Sequence, residues 1–376
     1  MSDTYTQTVF VEKNGSDFRA VYVRKDFPEQ LIEASTDMPQ KVGAIYVGHV
    51  RTIHQSPKAA YVGLDKGEVG FLPLPAKFPI HEGQRILVQV TRDTITDEGG
   101  LKHCRLTTDI TLCGTTCVFT PLSPKIKVSK KIPKEVQEEV RKSLSGLLQE
   151  PEGVIVRTFQ GTFDEKALQE ELTDLRQQWL TLQTTLSTTD KTGCIQSAPS
   201  ALDQLTTLYP PSERCQWVVN ERKLSEGLAE SFGPHVDLYQ GKNTLFDEAG
   251  LSEIWEDIHD ETISLPEGGN IVIEATTACT TIDVNSQGFN GRDLFDVNKY
   301  AAAEVAQQIL LRNLSGAIII DFLKMKDTKQ RAYIAQFLKS KFAHHANTHV
   351  HGFTALGFFE LSRQAHPLGP DLTGGE

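Results

Sequence analysis

The segment NIVIEATTACTTIDVN, residues 270–285, holds two apolar runs, and a third, GAIIIDF, occupies residues 316–322. Each run is typical of a buried β-strand. Helical patterns lie between and after them, VNKYAAAEVAQQILLRN at 297–313 and DTKQRAYIAQFLKSKF at 327–342, and HVHGFTA at 349–355 predicts one more strand. Strands that alternate with helices indicate an α/β layered domain in the last part of the chain.

Two aspartates lie at the C-terminal ends of apolar strands in this domain, Asp283 in TTIDVNS and Asp321 in AIIIDF. Open α/β sheets place ligands at the carboxyl ends of their strands. If the two strands are neighbours, both carboxylates project from one edge and could bind Mg²⁺ together with waters and a substrate phosphate. Aspartate also follows strands as an ordinary turn or helix-capping residue, so the pattern alone leaves both interpretations open.

The first third of the chain is rich in short strands. Residues 1–41 predict a strand pair with a turn at Asn14-Gly15, which must pack on a later part of the chain to bury a core. Residues 42 to about 118 contain five or so short strands separated by glycine-rich turns. This pattern predicts a small closed barrel.

The middle of the chain changes to helical patterns. Residues 163–186 predict a long amphipathic helix whose leucines recur near helical spacing. These leucines are Leu168, Leu172, Leu175 and Leu180. The polar stretch at 187–200 is a plausible domain boundary.

Composition bounds the class of protein. The chain has 376 residues, of which 39% are hydrophobic and 23% charged, as expected for a soluble globular protein of two to four compact units. No apolar run approaches the roughly 20 residues that span a bilayer, and we find no secretory signal, so we expect no membrane segment and a cytoplasmic location. The net charge of −11 argues against a protein that coats duplex DNA, but not against a local basic groove for RNA.

The sequence offers two weaker candidates for binding sites. The lysine-rich segment at 121–142 could bind RNA, although a solvated connector explains its composition better. The six cysteines form no CxxC pair, so we expect reduced thiols and no zinc site.

Three segments resemble, in order and spacing, the catalytic domain of the ribonuclease E/G family. They are GNIVIEATTACTTIDVNSQGFNGRD at 269–293, LLRNLSGAIIIDFLKM at 310–325 and VHGFTALGFFELSRQ at 350–364. Weaker similarities follow in the family's order. They are to its S1-type OB-fold domain at 44–74, its sensor of RNA 5′ ends at 151–158 with the helix after it, and its ribonuclease-H-like region at 236–258.

The resemblance implies an α/β multidomain fold in which an S1-type OB-fold barrel is inserted in a ribonuclease-H-like scaffold. A 5′-sensor region and a C-terminal DNase-I-like α/β catalytic domain complete it. The expected domains are N-terminal strands that pack on the ribonuclease-H-like region at 1–41, the S1-type OB-fold at 42–123, the 5′-sensor-like region at 124–195, the ribonuclease-H-like region at 196–262 and the catalytic domain at 263–376.

The resemblance also implies roles for single residues of the catalytic domain. Asp283 and Asp321 match the two Mg²⁺ ligands of the family, and Mn²⁺ could take the place of Mg²⁺. Asn285 matches the asparagine that orients the metal shell or the scissile phosphate. These three residues are the expected catalytic set.

Further positions match the family's RNA-binding residues. Tyr61 and Phe71 match aromatic residues that stack on RNA bases, although filling of the barrel core would also explain them. Lys102 matches a lysine near the same RNA path. Arg157 and Thr158 match the pair that grips a 5′-monophosphate, which an arginine fork and a hydroxyl suit; an exposed strand end is the alternative.

Four features depart from the family's pattern. The chain ends in SRQAHPLGPDLTGGE without the family's zinc-sharing cysteine pair, so we expect no zinc and, at most, a homodimer formed without that link. Lys324 stands where the family has an acid, and it could attract phosphate or weaken Mg²⁺ binding. Tyr300 replaces a glutamate, and Asn347 falls at a basic position.

We therefore expect a Mg²⁺-dependent endoribonuclease that hydrolyses single-stranded RNA to leave 5′-phosphate ends, in RNA processing or decay. Maturation of ribosomal or transfer RNA precursors is compatible with that role. The alternative is an RNA-binding protein of the same family with weakened or lost catalysis, which Lys324, Tyr300 and Asn347 favour. An α/β protein unrelated to RNA is a third interpretation, which a failure to retain RNA at low salt in a filter-binding assay would favour.

Overall fold

The computed structural model describes most of the chain. The described residues are 5–35, 41–56, 58–74, 80–97, 100–114, 116–129, 132–156, 163–291, 293–325, 327–345, 347–366 and 368–370, with only the backbone for 35, 95–97 and 100–102. The chain divides into two compact units. One consists of Met1–Met38 and Gln204–Glu376, and the other of Pro39–Asp203.

The described residues form strands and helices along the whole chain. The strands are β1 (Gln7–Asn14), β2 (Asp17–Arg24), β3 (Phe27–Ser35), β4 (Ile45–His54), β5 (Ala59–Gly63), β6 (Val69–Pro73), β7 (Arg85–Arg92), β8 (Ile95–Asp97), β9 (Gly100–Lys102), β10 (Cys104–Thr107), β11 (Leu112–Cys113), β12 (Cys117–Thr120), β13 (Ile126–Val128), β14 (Gly153–Val156), β15 (Gly193–Gln196), β16 (Cys215–Val219), β17 (Val236–Leu238), β18 (Thr262–Ser264), β19 (Asn270–Ala275), β20 (Thr280–Asn285), β21 (Gly316–Asp321), β22 (Thr348–Phe353) and β23 (Phe359–Arg363). The helices are α1 (Lys134–Leu147), α2 (Glu165–Thr188), α3 (Ala201–Leu208), α4 (Arg222–Phe232), α5 (Leu245–Glu248), α6 (Ser252–Asp257), α7 (Leu294–Leu311) and α8 (Thr328–Phe342), with a 3₁₀ turn at Gly233–His235.

The N-terminal strands belong to a five-stranded sheet in the order β17-β16-β1-β2-β3. The first three strands form antiparallel hairpins, and β1 pairs in parallel with β16. Lys25 and Asp26 connect β2 to β3 with φ values of 49° and 62°, as a type I′ hairpin turn requires at both central positions. The N-terminal strands are therefore completed by a strand from much later in the chain.

The unit at Pro39–Asp203 contains a closed five-stranded barrel. Its strands follow one another in the order β4-β5-β6-β10-β7, and β4 also pairs with β7, which closes the ring. The interior holds Val50, Val62, Val88 and Leu106, all nearly inaccessible to solvent. A Cβ at Gly70 would collide with Leu106, so only glycine fits at this position of β6.

A second layer of this unit packs two helices on the four-stranded sheet β11-β12-β14-β13. The long helix α2 is capped at its N-terminus by Asp164, whose side chain accepts a hydrogen bond from the Ala167 amide. Its buried residues are Leu168, Leu172, Leu175, Trp179 and Leu182. Leu180, the fourth leucine of the predicted stripe, lies off that face and is 50% exposed.

The C-terminal sheet has the order β18-β19-β20-β21-β23-β22. Its two central strands, β20 and β21, are parallel, and the other neighbours are antiparallel. Ile282, Ile318 and Ile320 are buried in a core shared with α7 and α8. Because side chains alternate along a strand, the residues next to these isoleucines in β20 and β21 face away from the helices.

Helix α7 is buried on more than one side. Val305 and Ile309 join the core of the C-terminal sheet, whereas Leu311 packs with Val21 and Leu31 of the N-terminal sheet. Asp293 caps the N-terminus of the helix, and its side chain accepts from the Phe295 amide. Within this unit the helix therefore joins the two sheets through a continuous apolar contact.

Polar side chains near the end of the described chain tie the same two sheets together. The Leu368 amide donates to Nδ1 of His366 at 3.2 Å, so the Gln30 amide nitrogen, 2.6 Å from that atom, must also donate to it. The Tyr209 hydroxyl donates to Gln30, and the Asn313 side chain bonds to the His366 backbone at 2.7 and 2.9 Å. Burial, with the nearby positive charge of Arg363, lowers the pKa of His366 from 6.5 to about 4.

The structure confirms a mixed α/β fold that contains a small closed barrel. The assignment of S1-type, ribonuclease-H-like and DNase-I-like domains, and the boundaries between them, stay predictions. No helix within the described ranges is long and apolar enough to cross a bilayer.

Candidate active site

Asp283 and Asp321 are neighbours at the centre of the C-terminal sheet. They are direct register partners on the parallel strands β20 and β21. Adjacent strands lie about 4.8 Å apart and residues in register point to the same face, so the two carboxylates stand side by side. Both side chains are exposed and line one pocket. The structure thus brings together the two acids that the sequence places at separate strand ends.

Asn285 orients one of these acids. Its side-chain amide donates to Asp283 Oδ2 at 3.0 Å and to Asn270 Oδ1 at 3.3 Å. Asn270 is the register partner of Asn285 on β19, and the sequence analysis missed it because the pairing of β19 with β20 is not readable from either strand alone. The hydrogen bond fixes the orientation of the Asp283 carboxylate and leaves its other oxygen available to a ligand.

The pocket beside these residues has a volume of about 460 Å³. Two cations, Lys324 and Arg331, line it together with the two aspartates. Leu356, at the tip of the β22–β23 hairpin, is 86% exposed at the same pocket. The pocket therefore offers both signs of charge and an apolar surface to a ligand.

The loop that follows Asp321 is held in place by buried side chains and by hydrogen bonds. Phe322 and Met325 are each 6% exposed and belong to the core. Asn298 on α7 is 1% exposed, and its side chain accepts from the Leu323 amide and donates to the Leu323 carbonyl, both at 2.9 Å. Asn298 therefore fixes the backbone between Asp321 and Lys324, a role that its position in a helical pattern does not reveal.

The donor set of the pocket suits a Mg²⁺ ion that keeps much of its hydration. The described residues contain no group of three or more His, Cys, Asp or Glu side chains arranged to hold a metal. Two adjacent carboxylates remain, and Mg²⁺ is commonly bound by one or two carboxylates with waters and substrate phosphate completing its shell. Asp283 and Asp321 therefore fit such an ion as ligands, whereas the pocket is no closed structural metal site.

Two of the departures from the family's pattern have structural roles. Tyr300 is half-buried and packs against the core of the C-terminal sheet. The side-chain amide of Asn347 donates to the Gln364 carbonyl at 2.6 Å, and the backbone carbonyl of Asn347 accepts from the Gln364 amide at 2.9 Å. Asn347 therefore links the start of β22 to the residue after β23, and it does not line the pocket.

The barrel carries a cluster of four rings. Tyr61 and Phe71 are register partners on β5 and β6, with ring centroids 6.0 Å apart. His54 and His103 flank Tyr61 at 5.4 and 5.7 Å in edge-to-face arrangements. Tyr61 and Phe71 are half-buried and His54 is exposed, so the rings are not fully enclosed in the barrel. The two histidines, which the sequence analysis did not single out, extend this aromatic surface.

The structure does not describe the side chains of the three other residues that we expect to bind RNA. Lys102 ends β9, which pairs with β8, but only its backbone is described. Arg157 and Thr158, directly after β14, lie outside the described residues. Their roles stay predictions.

Comparison with protein families gives one clear match. A family model described as the Ribonuclease E/G family matches residues 111–366, more than half of the chain. The matched range includes Asp283, Asn285 and Asp321.

Individual relatives cover nearly the whole chain. Ribonuclease E of Escherichia coli strain K12 is 29% identical over 92% of this chain, which spans 35% of that protein. Ribonuclease G of the same strain is 25% identical over 96% of this chain, which spans 80% of that protein. Ribonuclease G of Haemophilus influenzae is 30% identical over 86% of this chain, which spans 72% of that protein.

Proposed function

This chain belongs to the ribonuclease E/G family, and from that premise we propose that it is a Mg²⁺-dependent endoribonuclease that cleaves single-stranded RNA. The observation that carries the proposal is the register of Asp283 and Asp321 on adjacent parallel strands. Paired carboxylates beside an open pocket suit metal-assisted hydrolysis of a phosphodiester. The names of the relatives, ribonuclease E and ribonuclease G, support RNA as the substrate class.

Three residues would form the reaction centre. Asp283 and Asp321 would hold the ion, Mg²⁺ or Mn²⁺, and when bound the ion supplies positive charge that polarises the phosphodiester. Asn285 keeps the Asp283 carboxylate in one orientation through its hydrogen bond of 3.0 Å. The buried Phe322 and Met325 keep the loop after Asp321 from moving away from the pocket.

The barrel would hold the RNA strand. Stacking of a base on an aromatic side chain contributes about 1–3 kcal/mol and accepts any base, which suits a nuclease of broad substrate range. Tyr61 and Phe71 offer such rings, and His54 and His103 widen the surface. Lys102 would add a phosphate contact near the same path.

The products and substrates are also part of the proposal. Hydrolysis would leave a 5′-phosphate on the downstream fragment. Arg157 and Thr158 would favour RNA that carries a 5′-monophosphate, because a guanidinium fork and a hydroxyl bind that group well. Precursors of ribosomal or transfer RNA, and messages that undergo decay, are the substrates that we propose, and a homodimer stays a prediction.

A cleavage assay tests the proposal. The purified chain is incubated with a 5′-monophosphorylated single-stranded oligoribonucleotide in the presence of Mg²⁺, and the same oligoribonucleotide with a 5′-hydroxyl is run beside it. We expect cutting within the strand, 5′-phosphate products and a faster reaction on the monophosphorylated substrate. Asp283→Asn and Asp321→Asn should each abolish cutting.

A matched control separates the site from general effects of charge. Glu274→Gln removes an exposed acid from β19. This residue pairs with Thr281 of β20 and does not line the pocket. This variant should cut RNA like the wild type. Undiminished cutting by Asp283→Asn or Asp321→Asn would show that the site is assigned wrongly.

A second candidate function is RNA binding with little or no catalysis. It is favoured by Lys324, which lines the pocket where the family has an acid, and by the presence of two carboxylates, and no more, among the described residues that line it. It predicts RNA binding of equal affinity with and without Mg²⁺ and no products after long incubation. Metal-dependent cleavage by the wild type would exclude it.

A further inference from the structure

The pocket that contains Asp283 and Asp321 is also lined by the side chains of Lys324 and Arg331. Both cations are exposed, and neither forms an ion pair or a side-chain hydrogen bond with any residue in the described part of the chain. The positive and negative groups of the pocket therefore do not neutralise one another by direct contact. Two cations without an ion-pair partner in the described part of the chain are suited to bind an anionic ligand.

Lys324 is fixed at its backbone. Phe322 and Met325, on either side, are buried in the core, and Asn298 binds both backbone groups of Leu323. Side chains that project from a rigid segment hold their ligands more accurately than side chains on a mobile loop. Lys324 is thus presented to the pocket by a segment with little freedom to move.

Arg331 is oriented by a different element. It lies in the first turn of α8, which is capped at its N-terminus by Asp327, whose side chain accepts from the Lys329 amide. Its guanidinium carbon lies 5.8 Å from the centre of the Phe353 ring on β22. A guanidinium that rests on an aromatic ring keeps its donors free for a phosphate, which it can bind through two parallel hydrogen bonds.

We propose that Lys324 and Arg331 bind the phosphodiester group that enters this pocket, and that Lys324 does so at the cost of affinity for the divalent ion. The inference rests on the proposed function, because it takes RNA as the ligand. An ammonium group near the two carboxylates attracts a phosphate oxygen and repels a dication. An acid at position 324 would reverse both effects, so one residue sets the balance between substrate and metal.

The metal half of the proposal is tested with Mn²⁺ alone, without RNA and without turnover. Electron paramagnetic resonance measures the fraction of free Mn²⁺ in a titration of each variant. Lys324→Asp should bind Mn²⁺ about fivefold more tightly than the wild type, and Lys324→Gln should fall between them, because the repelling charge is reversed or removed. An affinity in Lys324→Asp no higher than that of the wild type would overturn the proposal.

The phosphate half is tested with a single-stranded oligouridylate in EDTA. Fluorescence anisotropy gives the RNA affinity at several salt concentrations. The logarithm of the association constant falls as the logarithm of the salt concentration rises, and each lost phosphate contact makes this slope less steep by about 0.7 for a single strand. Lys324→Gln and Arg331→Gln should each show this smaller slope and bind RNA about three- to tenfold more weakly at low salt. Because the slope depends on the number of phosphate contacts, it detects the loss of one contact even when the barrel supplies most of the affinity.

Lys329→Gln is the matched control, since Lys329 is an exposed lysine of the same helix turn that does not line the pocket. It should keep the wild-type slope. Slopes in Lys324→Gln and Arg331→Gln equal to that of Lys329→Gln would overturn the assignment. Neither assay requires cleavage, so a wild type that binds RNA and Mn²⁺ but never cuts would count against the proposed function and leave these two contacts standing.

Discussion

Asn298 on α7 binds Leu323 through both of its backbone groups, with two hydrogen bonds of 2.9 Å that hold the segment between Asp321 and Lys324. The asparagine is almost completely buried, so its amide has no water to replace these partners. The buried side chain of Asn298 therefore holds the loop that follows β21.

Replacement of Asn298 by alanine should destabilise the C-terminal sheet and loosen the pocket. The change leaves two backbone groups of Leu323 without partners, which should lower the free energy of unfolding by about 2–4 kcal/mol. Urea denaturation measures this loss. Asn290→Ala, at an exposed asparagine, should change stability by less than about 0.5 kcal/mol, and equal stabilities of the two variants would contradict the role of Asn298.

Asn285→Ala should slow cleavage without removing the metal ligands. The variant frees the Asp283 carboxylate to rotate, and loss of such an orienting partner costs about 10- to 100-fold in activity or metal affinity. Single-turnover cleavage at saturating Mg²⁺ measures the effect, which should be smaller than that of Asp283→Asn. A rate within twofold of the wild type would show that the hydrogen bond is incidental.

Tyr61→Ala and Phe71→Ala should each weaken RNA binding in EDTA. Loss of one stacked base costs about 1–3 kcal/mol, which corresponds to roughly 5- to 150-fold in the dissociation constant. Anisotropy with an oligouridylate measures the affinity, and thermal denaturation checks that the barrel remains folded. His49→Ala, at an exposed position of β4 outside the ring cluster, should bind like the wild type.

Stability should fall as the pH is lowered from about 6.5 towards 4, because Nδ1 of His366 accepts two N–H bonds and cannot also carry a proton. The folded pKa of about 4 lies below the ordinary 6.5, so in this window the unfolded chain binds more protons and acid favours it. The fall of this pKa from 6.5 to about 4 corresponds to about 3 kcal/mol of unfolding free energy.

Urea denaturation at a series of pH values tests this dependence. His366→Gln removes the titrating group, so its stability should change less than that of the wild type between pH 6.5 and pH 4. Parallel profiles for the two proteins would show that His366 is not the group responsible.

The sequence predicts the parts of this site that depend on local pattern. The apolar runs that end in Asp283 and Asp321 identify two strands and their polar ends. Their pairing in register is a tertiary fact that neither run contains, and the same is true of Asn270 opposite Asn285. The role of Asn298 is equally hidden, because Leu323 lies on a different element.

Two features in the middle of the chain differ from the prediction, each for its own reason. The apolar face of α2 runs through Trp179 and Leu182 because these positions continue the spacing of Leu168, Leu172 and Leu175, whereas Leu180 falls one position off it. Residues 193–196 lie in a polar stretch that predicts a boundary, yet they form β15 because the edge of β4 offers unpaired backbone groups. Spacing along the helix accounts for Leu180, whereas a tertiary contact overrides local composition at residues 193–196.

The parallel pairing of β1 with β16 sets the order in which the chain can become structured during synthesis. The first hairpin leaves the ribosome early, but the strand beside it is translated only after the entire Pro39–Asp203 unit. Contacts between residues so distant in sequence form slowly, since a long stretch of chain must be closed into a loop first. The barrel can therefore fold before the first hairpin gains its parallel neighbour, and the N-terminal sheet is completed only after the Pro39–Asp203 unit has been translated.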